Sequence, residues 1–365
     1  MKSFFSGKKI LITGHTGFKG SWLTLWLNSL GAKVTGLALD PKTENDAFFT
    51  LGIANICDDQ RVDIRNYEMV LKVVTDSKPE IVFHLAAQPL VLESYKNPLY
   101  TYETNIMGTA NLLEAIRNTG TVKQAIMITT DKVYENQEFI WGYRENDKLG
   151  GYEPYGTSKA AAEMVIAGYR NSFFLNNKQK LLQTSVASVR AGNVIGGGDW
   201  SENRIIPDCI KAIENTQPIE IRNPNAIRPW QHVLEALGGY LYLCEKMANH
   251  TGKFEQAWNF GPGNEGIKTV KELVNRLIII YGGGEWFSDE KEQTEYEAHL
   301  LALDISKATT MLGWKPLLAF DQTLEWTVNW YKAYREKKNM VQFSLDQINR
   351  YSQLMDANFQ KQQCD

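Results

Sequence analysis

Cysteine is scarce and scattered. Cys57, Cys209, Cys244 and Cys364 are the only four in 365 residues. None sits at metal-ligand or disulfide-framework spacing, so reduced thiols and a cytoplasmic compartment are expected. The five histidines show no ligand spacing either, and no metal site is expected. Long apolar runs are absent. Nothing approaches the ~20 consecutive apolar residues of a membrane span, and the apolar stretch within Met1–Ser6 is too short for a signal core. Charge of one sign is not in excess. A formal net charge of −3 offers no general attraction to nucleic acid or anionic membrane, so neither is expected as a partner. Internal repeats and low-complexity stretches are missing too. What remains is the composition of an ordinary soluble enzyme, 43% hydrophobic and 22% charged.

The first half alternates short β-rich runs with helical patterns. Strands are expected at Lys9–Thr13, Lys33–Leu39, Glu80–Ala86 and Gln124–Thr130, and a helix over Ser21–Leu30 closed by Gly31. Such alternation predicts right-handed βαβ units, hence an α/β fold with a doubly wound, Rossmann-type parallel sheet. After about residue 190 the rhythm loosens around Gly196–Asp199 and Gly282–Gly284. The expected organisation is a dinucleotide-binding domain over 1–190 that carries the catalytic residues. A smaller substrate lobe would lie mainly in 191–335, with some return to the core, and a helical extension in 336–365. That extension could be a packing arm or an oligomer contact.

Gly14-His15-Thr16-Gly17-Phe18-Lys19-Gly20 stands where the first strand hands over to the first helix. Glycines at those three positions permit a tight turn, backbone approach to a pyrophosphate and close helix–strand packing, with the helix N-terminus facing the phosphates. His15 reads as a loop residue beside that turn. Asp40 ends the second strand about twenty residues later, where a carboxylate can accept bonds from the adenosine ribose and repel a 2′-phosphate. NAD is therefore the expected cofactor, with Asp63, Ile64, Ala86 and Ala87 near its adenine and diphosphate sides.

Tyr155 and Lys159 lie one helical turn apart, so phenol and ammonium can point into one site. A cation nearby favours phenolate, and Tyr155 could then remove a hydroxyl proton as hydride leaves the carbon. Thr130, Asp131 and Lys132 follow a strand in the place where open α/β sheets bind ligands. On the substrate side, Asn193 could hold a diphosphate oxygen. Arg204, Arg222 and Arg228 bring cations suited to phosphate, and Trp230 offers an aromatic face.

These strings resemble the CDP-glucose 4,6-dehydratases, a branch of the extended short-chain dehydrogenase/reductase family. The matching segments are GHTGFKGSWL, HLAAQPLV, TDK, WGYREN, YxxSK, RAGNVIGGGDW, RNP, RPWQHV and WNFGP, spread over nearly the whole chain. The resemblance adds Gln88 and Asn259 to the expected substrate side. It implies C4 oxidation, loss of water across C5 and C6, and hydride return to C6, with CDP-glucose as substrate. In that scheme Thr130, Asp131, Lys132, Tyr155 and Lys159 are catalytic, and Asp131 is the acid for the departing C6 hydroxyl. Related dTDP-glucose dehydratases carry a Glu at the position of Lys132, assigned there as the C5 base; Lys132 could replace it only with a lowered pKa. Leu92-Glu93 stands where the family commonly has arginine, in a loop that could alter the nucleotide or sugar accepted. Two alternatives stay open: a 4-epimerase or reductase of the same fold, and a non-catalytic NAD-binding regulatory or scaffold protein. Association as a homodimer or dimer of dimers is expected through residues 100–116 and 159–171.

Overall fold

The β-rich runs form a single sheet, because parallel strands joined through helices must bury both faces. The computed structural model describes residues 1–174, 184–288 and 298–364, with side chains to residue 360. Seven strands enter the sheet: β1 (Lys9–Thr13), β2 (Lys33–Ala38), β3 (Asp58–Arg61), β4 (Ile81–His84), β5 (Gln124–Ile128), β6 (Ser185–Arg190) and β7 (Ala257–Asn259). Their order is β7-β6-β5-β4-β1-β2-β3, all parallel. The order reverses between β1 and β4, which opens a crevice beyond their carboxyl ends. The four strands expected from the sequence, β1, β2, β4 and β5, match to within two residues; the sequence reading sets no bounds for β6 and β7, and patterning does not reveal β3. Its residues are Asp-Asp-Gln-Arg; as an edge strand it needs no apolar side chains.

Seven helices frame the site: α1 (Phe18–Ser29), α2 (Tyr67–Ser77), α3 (Gly108–Thr119), α4 (Pro154–Tyr169), α5 (Val233–Asn249), α6 (Phe320–Arg335) and α7 (Met340–Cys364). Side chains alternate across the sheet. Ile10 and Ile12 face a core built with Trp22 and Trp26 of α1 and Leu237 and Leu241 of α5. Leu11 faces the opposite core with Val70 of α2, Leu112 of α3 and Ile166 of α4. The first helix starts at Phe18, earlier than its apolar spacing suggests, and Gly20 to Leu27 are all buried. A helix buried all round carries little periodic signal.

α7 covers the outer side of α1. Tyr351 meets Trp26 edge-on at 5.8 Å, and its hydroxyl donates to Glu235 Oε2 at 2.7 Å. Glu235 Oε1 also accepts from the N–H groups of Leu317 at 2.8 Å and Leu318 at 2.6 Å. Burial pushes this carboxyl up to about 7, against the hydrogen bonds from Tyr351 and the two N–H groups. The final helix therefore packs back onto its own chain.

Beyond β6 the looser rhythm becomes short ladders. Val194–Ile195 pairs in parallel with Gln231–His232, and Ile227–Pro229 pairs antiparallel with Ile267–Thr269. The first ladder sets the RAGNV and RPWQH strings side by side at the crevice. No described helix is long and apolar enough to cross a membrane.

Candidate active site

The glycine turn has the shape of a dinucleotide cradle. Gly14 sits at φ 77, and a Cβ there would meet Ala86 N at 2.7 Å, so only glycine lets the turn lie against the end of β4. A Cβ on Gly20 would overlap Gly14 O, which keeps α1 tight against the turn. Thr16 is tied down by its hydroxyl donating to Leu39 O at 3.0 Å. The Asp40 side chain is 86% exposed at the end of β2, 3.7 Å from Arg61. Asp63 is gripped by Arg65 at 2.7 Å, and that bond holds its carboxyl below the usual range. Ile64 is buried against Gly108, and Ala86 donates its N–H to Thr13 Oγ1 at 3.2 Å. His15 stands in that turn with its side chain buried. Its ring lies over Gly36, where a Cβ would overlap it, and Nε2 is 2.9 Å from Asp59 Oδ1. Burial lowers its pKa despite that carboxylate.

Two elements deliver the expected catalytic groups. β5 ends at Ile128 and releases Thr130, Asp131 and Lys132 above the sheet. α4 starts with Pro154 at its first position, and its N-cap Glu153 accepts from Gly156 N–H at 3.0 Å, which presents Tyr155 at the helix mouth. Thr130, Asp131, Lys132 and Tyr155 line one cleft of about 460 Å³ together with Phe18 and Lys19. Thr130 Oγ1 donates to Asp131 Oδ1 at 2.9 Å, whereas Asp131 Oδ2 is buried without a partner. Buried acceptors are normally satisfied, so this atom is a candidate for meeting a ligand. It fits only because residue 192 is glycine; a Cβ there would overlap it.

Lys159 lies beneath the cleft and donates from Nζ to Ile128 O at 3.1 Å. Burial, then the charge of Lys19, lowers it to about 7 against the pull of Glu163. Tyr155 is raised to about 12, chiefly by burial, with a Thr130 hydrogen bond opposing and Asp131 adding to the rise. Within the protein itself the ammonium turns to a backbone carbonyl, and desolvation of the phenol prevails. Lys19 is lowered to about 8 by burial and by Arg204, opposed by Asp131 and Asp199.

The substrate-side residues divide. Asn193, Arg204, Arg222, Arg228 and Trp230 line the same cleft. Asn193 holds the left-handed backbone at φ 45, and Arg204 pairs with Asp199 at 3.3 Å. Trp230 is anchored by Nε1 donating to Lys268 O at 3.1 Å. Gln88 and Asn259 are not among the lining residues. Gln88 donates to Thr101 Oγ1 at 2.9 Å and accepts from Leu90 N–H at 2.6 Å, so it shapes the loop that carries Leu90 to Glu93 along the cleft. Asn259 donates to Tyr143 O at 2.8 Å and accepts from Tyr134 Oη at 2.8 Å, which places it in the interior. Sequence reading missed Glu163 and Arg190, a buried ion pair 2.9 Å apart beneath the catalytic helix. The signal was present as Tyr155, Lys159 and Glu163 at successive four-residue steps on one helical face.

The chain is similar to known proteins. The chain matches the family model described as GDP-mannose 4,6 dehydratase over residues 11–327. It is 46% identical over 350 residues to a CDP-glucose 4,6-dehydratase of Salmonella typhimurium, spanning 96% of this chain and 98% of that protein. A UDP-glucose 4-epimerase of Halalkalibacterium halodurans is 27% identical, over 89% of this chain and 96% of its own. Among solved structures, epimerase Mth375 of Methanothermobacter thermautotrophicus superposes with a TM-score of 0.77 at 23% identity, over 92% of this chain and 95% of that one. A dTDP-glucose 4,6-dehydratase of Bacillus anthracis in complex with NAD gives 0.73 at 22%, over 91% and 99%. At those identities the structures speak for a common fold.

Proposed function

The chain belongs to the GDP-mannose 4,6-dehydratase family, and on that premise we propose that it is an NAD-dependent lyase converting CDP-glucose to CDP-4-keto-6-deoxyglucose and water. The observation that carries the reading is one cleft lined by Tyr155, Thr130 and Asp131 beside the first turn of α1, with one Asp131 carboxylate oxygen buried and unpartnered. Extensive identity with a CDP-glucose 4,6-dehydratase supports the choice of reaction and nucleotide. A 4-epimerase needs no acid at C6, so the Thr130–Asp131 pair favours dehydration over that alternative.

The residues divide the work. Gly14, Thr16, Gly17, Phe18, Lys19 and Gly20 would hold the NAD pyrophosphate against the N-terminus of α1, with Asp40 on the ribose. NAD, when bound there, supplies the acceptor for the C4 hydride and returns it at C6. Tyr155 takes the C4 hydroxyl proton, with Thr130 hydrogen-bonded to the same oxygen and the Lys159 charge beneath. The resulting 4-ketone acidifies C5–H. Asp131 gives its proton to the departing C6 hydroxyl, which leaves as water. Lys132, which lines the same cleft, is in its neutral form the candidate acceptor of the C5 proton, and it gives a solvent-exchanged proton back to C5 as C6 takes the hydride. Arg204, Arg222 and Arg228 bind the diphosphate, where fixed guanidinium groups suit its oxygens.

We also propose self-association through residues 100–116 and 159–171, where Met107 and Met164 stand 54% and 61% exposed, and a cytoplasmic setting in which Cys57, Cys209 and Cys244 stay free thiols.

NMR in deuterated buffer, with CDP-glucose, dTDP-glucose, UDP-glucose and GDP-mannose supplied separately, tests the reading. A 4-keto-6-deoxy product from CDP-glucose with deuterium at C5 is expected. Dehydration of another sugar nucleotide instead would keep the chemistry and shift the nucleotide assignment to the Leu92-Glu93 loop. Four unchanged substrates with folded, NAD-loaded protein would remove the dehydratase reading.

A further inference from the structure

The catalytic helix carries a third ionisable side chain that the reaction above does not use. Glu163 lies one turn beyond Lys159 and is only 4% exposed. Its Oε1 accepts from Thr129 Oγ1 at 2.6 Å and Arg190 Nε at 2.9 Å. Its Oε2 accepts from Ser188 Oγ at 2.7 Å and Arg190 Nη2 at 3.0 Å. Thr129 leaves the end of β5 one residue before Thr130. Ser188 and Arg190 are two apart on β6 and so share a face.

One carboxylate thus joins the helix that bears Tyr155 and Lys159 to the strand end that bears Thr130 and Asp131. Arg190 extends the tie. Its Nη1 donates to Tyr134 Oη at 2.7 Å and to Glu145 O at 3.0 Å, and its guanidinium sits 4.9 Å over the Tyr134 ring. Two residues further on, Gly192 leaves the space that Asp131 Oδ2 occupies. A buried ion pair contributes little net stability beyond an apolar pair of the same volume. What it adds is direction, because four hydrogen bonds of fixed geometry set both the rotation and the height of the helix on the sheet.

We infer that the Glu163–Arg190 pair is a positioning device for the proposed reaction, fixing the Tyr155–Lys159 pair on α4 against the Thr130–Asp131 pair at the end of β5 without touching substrate or cofactor. Its consequence for turnover rests on the dehydratase reading; its consequence for Lys159 does not. The Lys159 ammonium is influenced by Lys19 from the first turn of α1 and by Glu163 on its own helix, and it acts in turn on His84 of β4. Glu163 is faced by Arg190 and by Arg170, just past the end of α4. Removing the Glu163 charge withdraws the one influence that raises Lys159, so its titration moves to lower pH.

The test is Glu163→Gln in NAD-loaded protein, with Ser188→Ala as a milder variant that leaves both charges in place. Thermal unfolding establishes that each variant is folded. Steady-state kinetics with CDP-glucose and lysine 13Cε NMR over a pH series are then recorded, the Lys159 signal being identified by its absence in Lys159→Met. For Glu163→Gln, kcat is expected to fall about 10²-fold, the scale of a small misplacement, with KM little changed and the Lys159 midpoint lowered. Ser188→Ala should reduce kcat severalfold in the same manner. Folded Glu163→Gln with unaltered kcat, a loss confined to KM, or an unmoved Lys159 midpoint would overturn the inference. Should Glu163→Gln not fold, the kcat and KM of Ser188→Ala decide it. Wild-type protein that dehydrates no sugar nucleotide would refute the dehydratase reading, and the Lys159 midpoint would then decide the inference alone.

Discussion

Asp131 is the residue on which the reaction class turns. Replacing it with Asn keeps the shape of the side chain but removes the proton offered to the C6 hydroxyl. Asp131→Asn is expected to oxidise C4 and then stall, so that reduced-nicotinamide absorbance accumulates on adding CDP-glucose while product formation falls about 10²- to 10⁴-fold. Loss of water at the wild-type rate would remove Asp131 as the acid. Gly192 supports the same carboxylate by having no side chain. Gly192→Ala must displace Asp131 Oδ2, and a drop of about 10²-fold in kcat is expected with NAD affinity retained; equilibrium NAD titration separates the two quantities. The residues proposed to handle protons could be picked out in the sequence because their spacing is local: Tyr155 and Lys159 share a helical face, and Thr130 and Asp131 follow a strand. Gln88 and Asn259 were read as substrate residues, yet their hydrogen bonds run to Thr101, Leu90, Tyr134 and Tyr143. A string of letters does not reveal which way an amide points.

At the level of elements, α1 and α7 explain each other. α1 is buried on all sides because α7 lies across it, so neither helix shows its role through amphipathic spacing alone. Glu235 of α5 fastens α7 to the Leu317–Leu318 backbone. Its folded pKa of about 7 lies above its ordinary value of 4.5, so the native state holds more protons than the unfolded chain in between. The stability this contributes is complete below pH 4.5 and is lost as pH rises through 7, on the order of 3 kcal/mol over the window. Glu235→Gln keeps an oxygen for Leu317 and Leu318 and has no proton to lose, so its stability should stay flat where the wild type declines. Urea unfolding at several pH values checks this; parallel curves for the two proteins would show that Glu235 titrates normally. Strand β3 makes the complementary point. Its Asp-Asp-Gln-Arg sequence becomes a strand because β2 offers a free edge, an influence that no window of sequence contains.

For the molecule as a whole, the face formed by α3, α4 and their flanks carries Leu99, Met107 and Met164 at 75%, 54% and 61% exposure. Isolated exposed apolar residues are ordinary; these three lie on or beside the segments through which self-association is proposed. Met107→Glu with Met164→Lys should convert the proposed dimer to monomer in sedimentation velocity without lowering the unfolding temperature; an unaltered sedimentation coefficient would place the interface elsewhere. The sequence by itself determined the sheet class, the glycine turn and the pairing of a tyrosine–lysine helix with a strand-end threonine and aspartate. Each is encoded within one strand–turn–helix unit, where periodicity and turn chemistry act over a few residues. Only the tertiary structure decided that Glu163 answers Arg190, that Gly192 makes room for Asp131, that His15 lies buried under β2, and that Lys159 is lowered while Tyr155 is raised. Those outcomes depend on burial and on charges brought together from distant parts of the chain, and desolvation and Coulomb interaction follow distance in space rather than along the sequence.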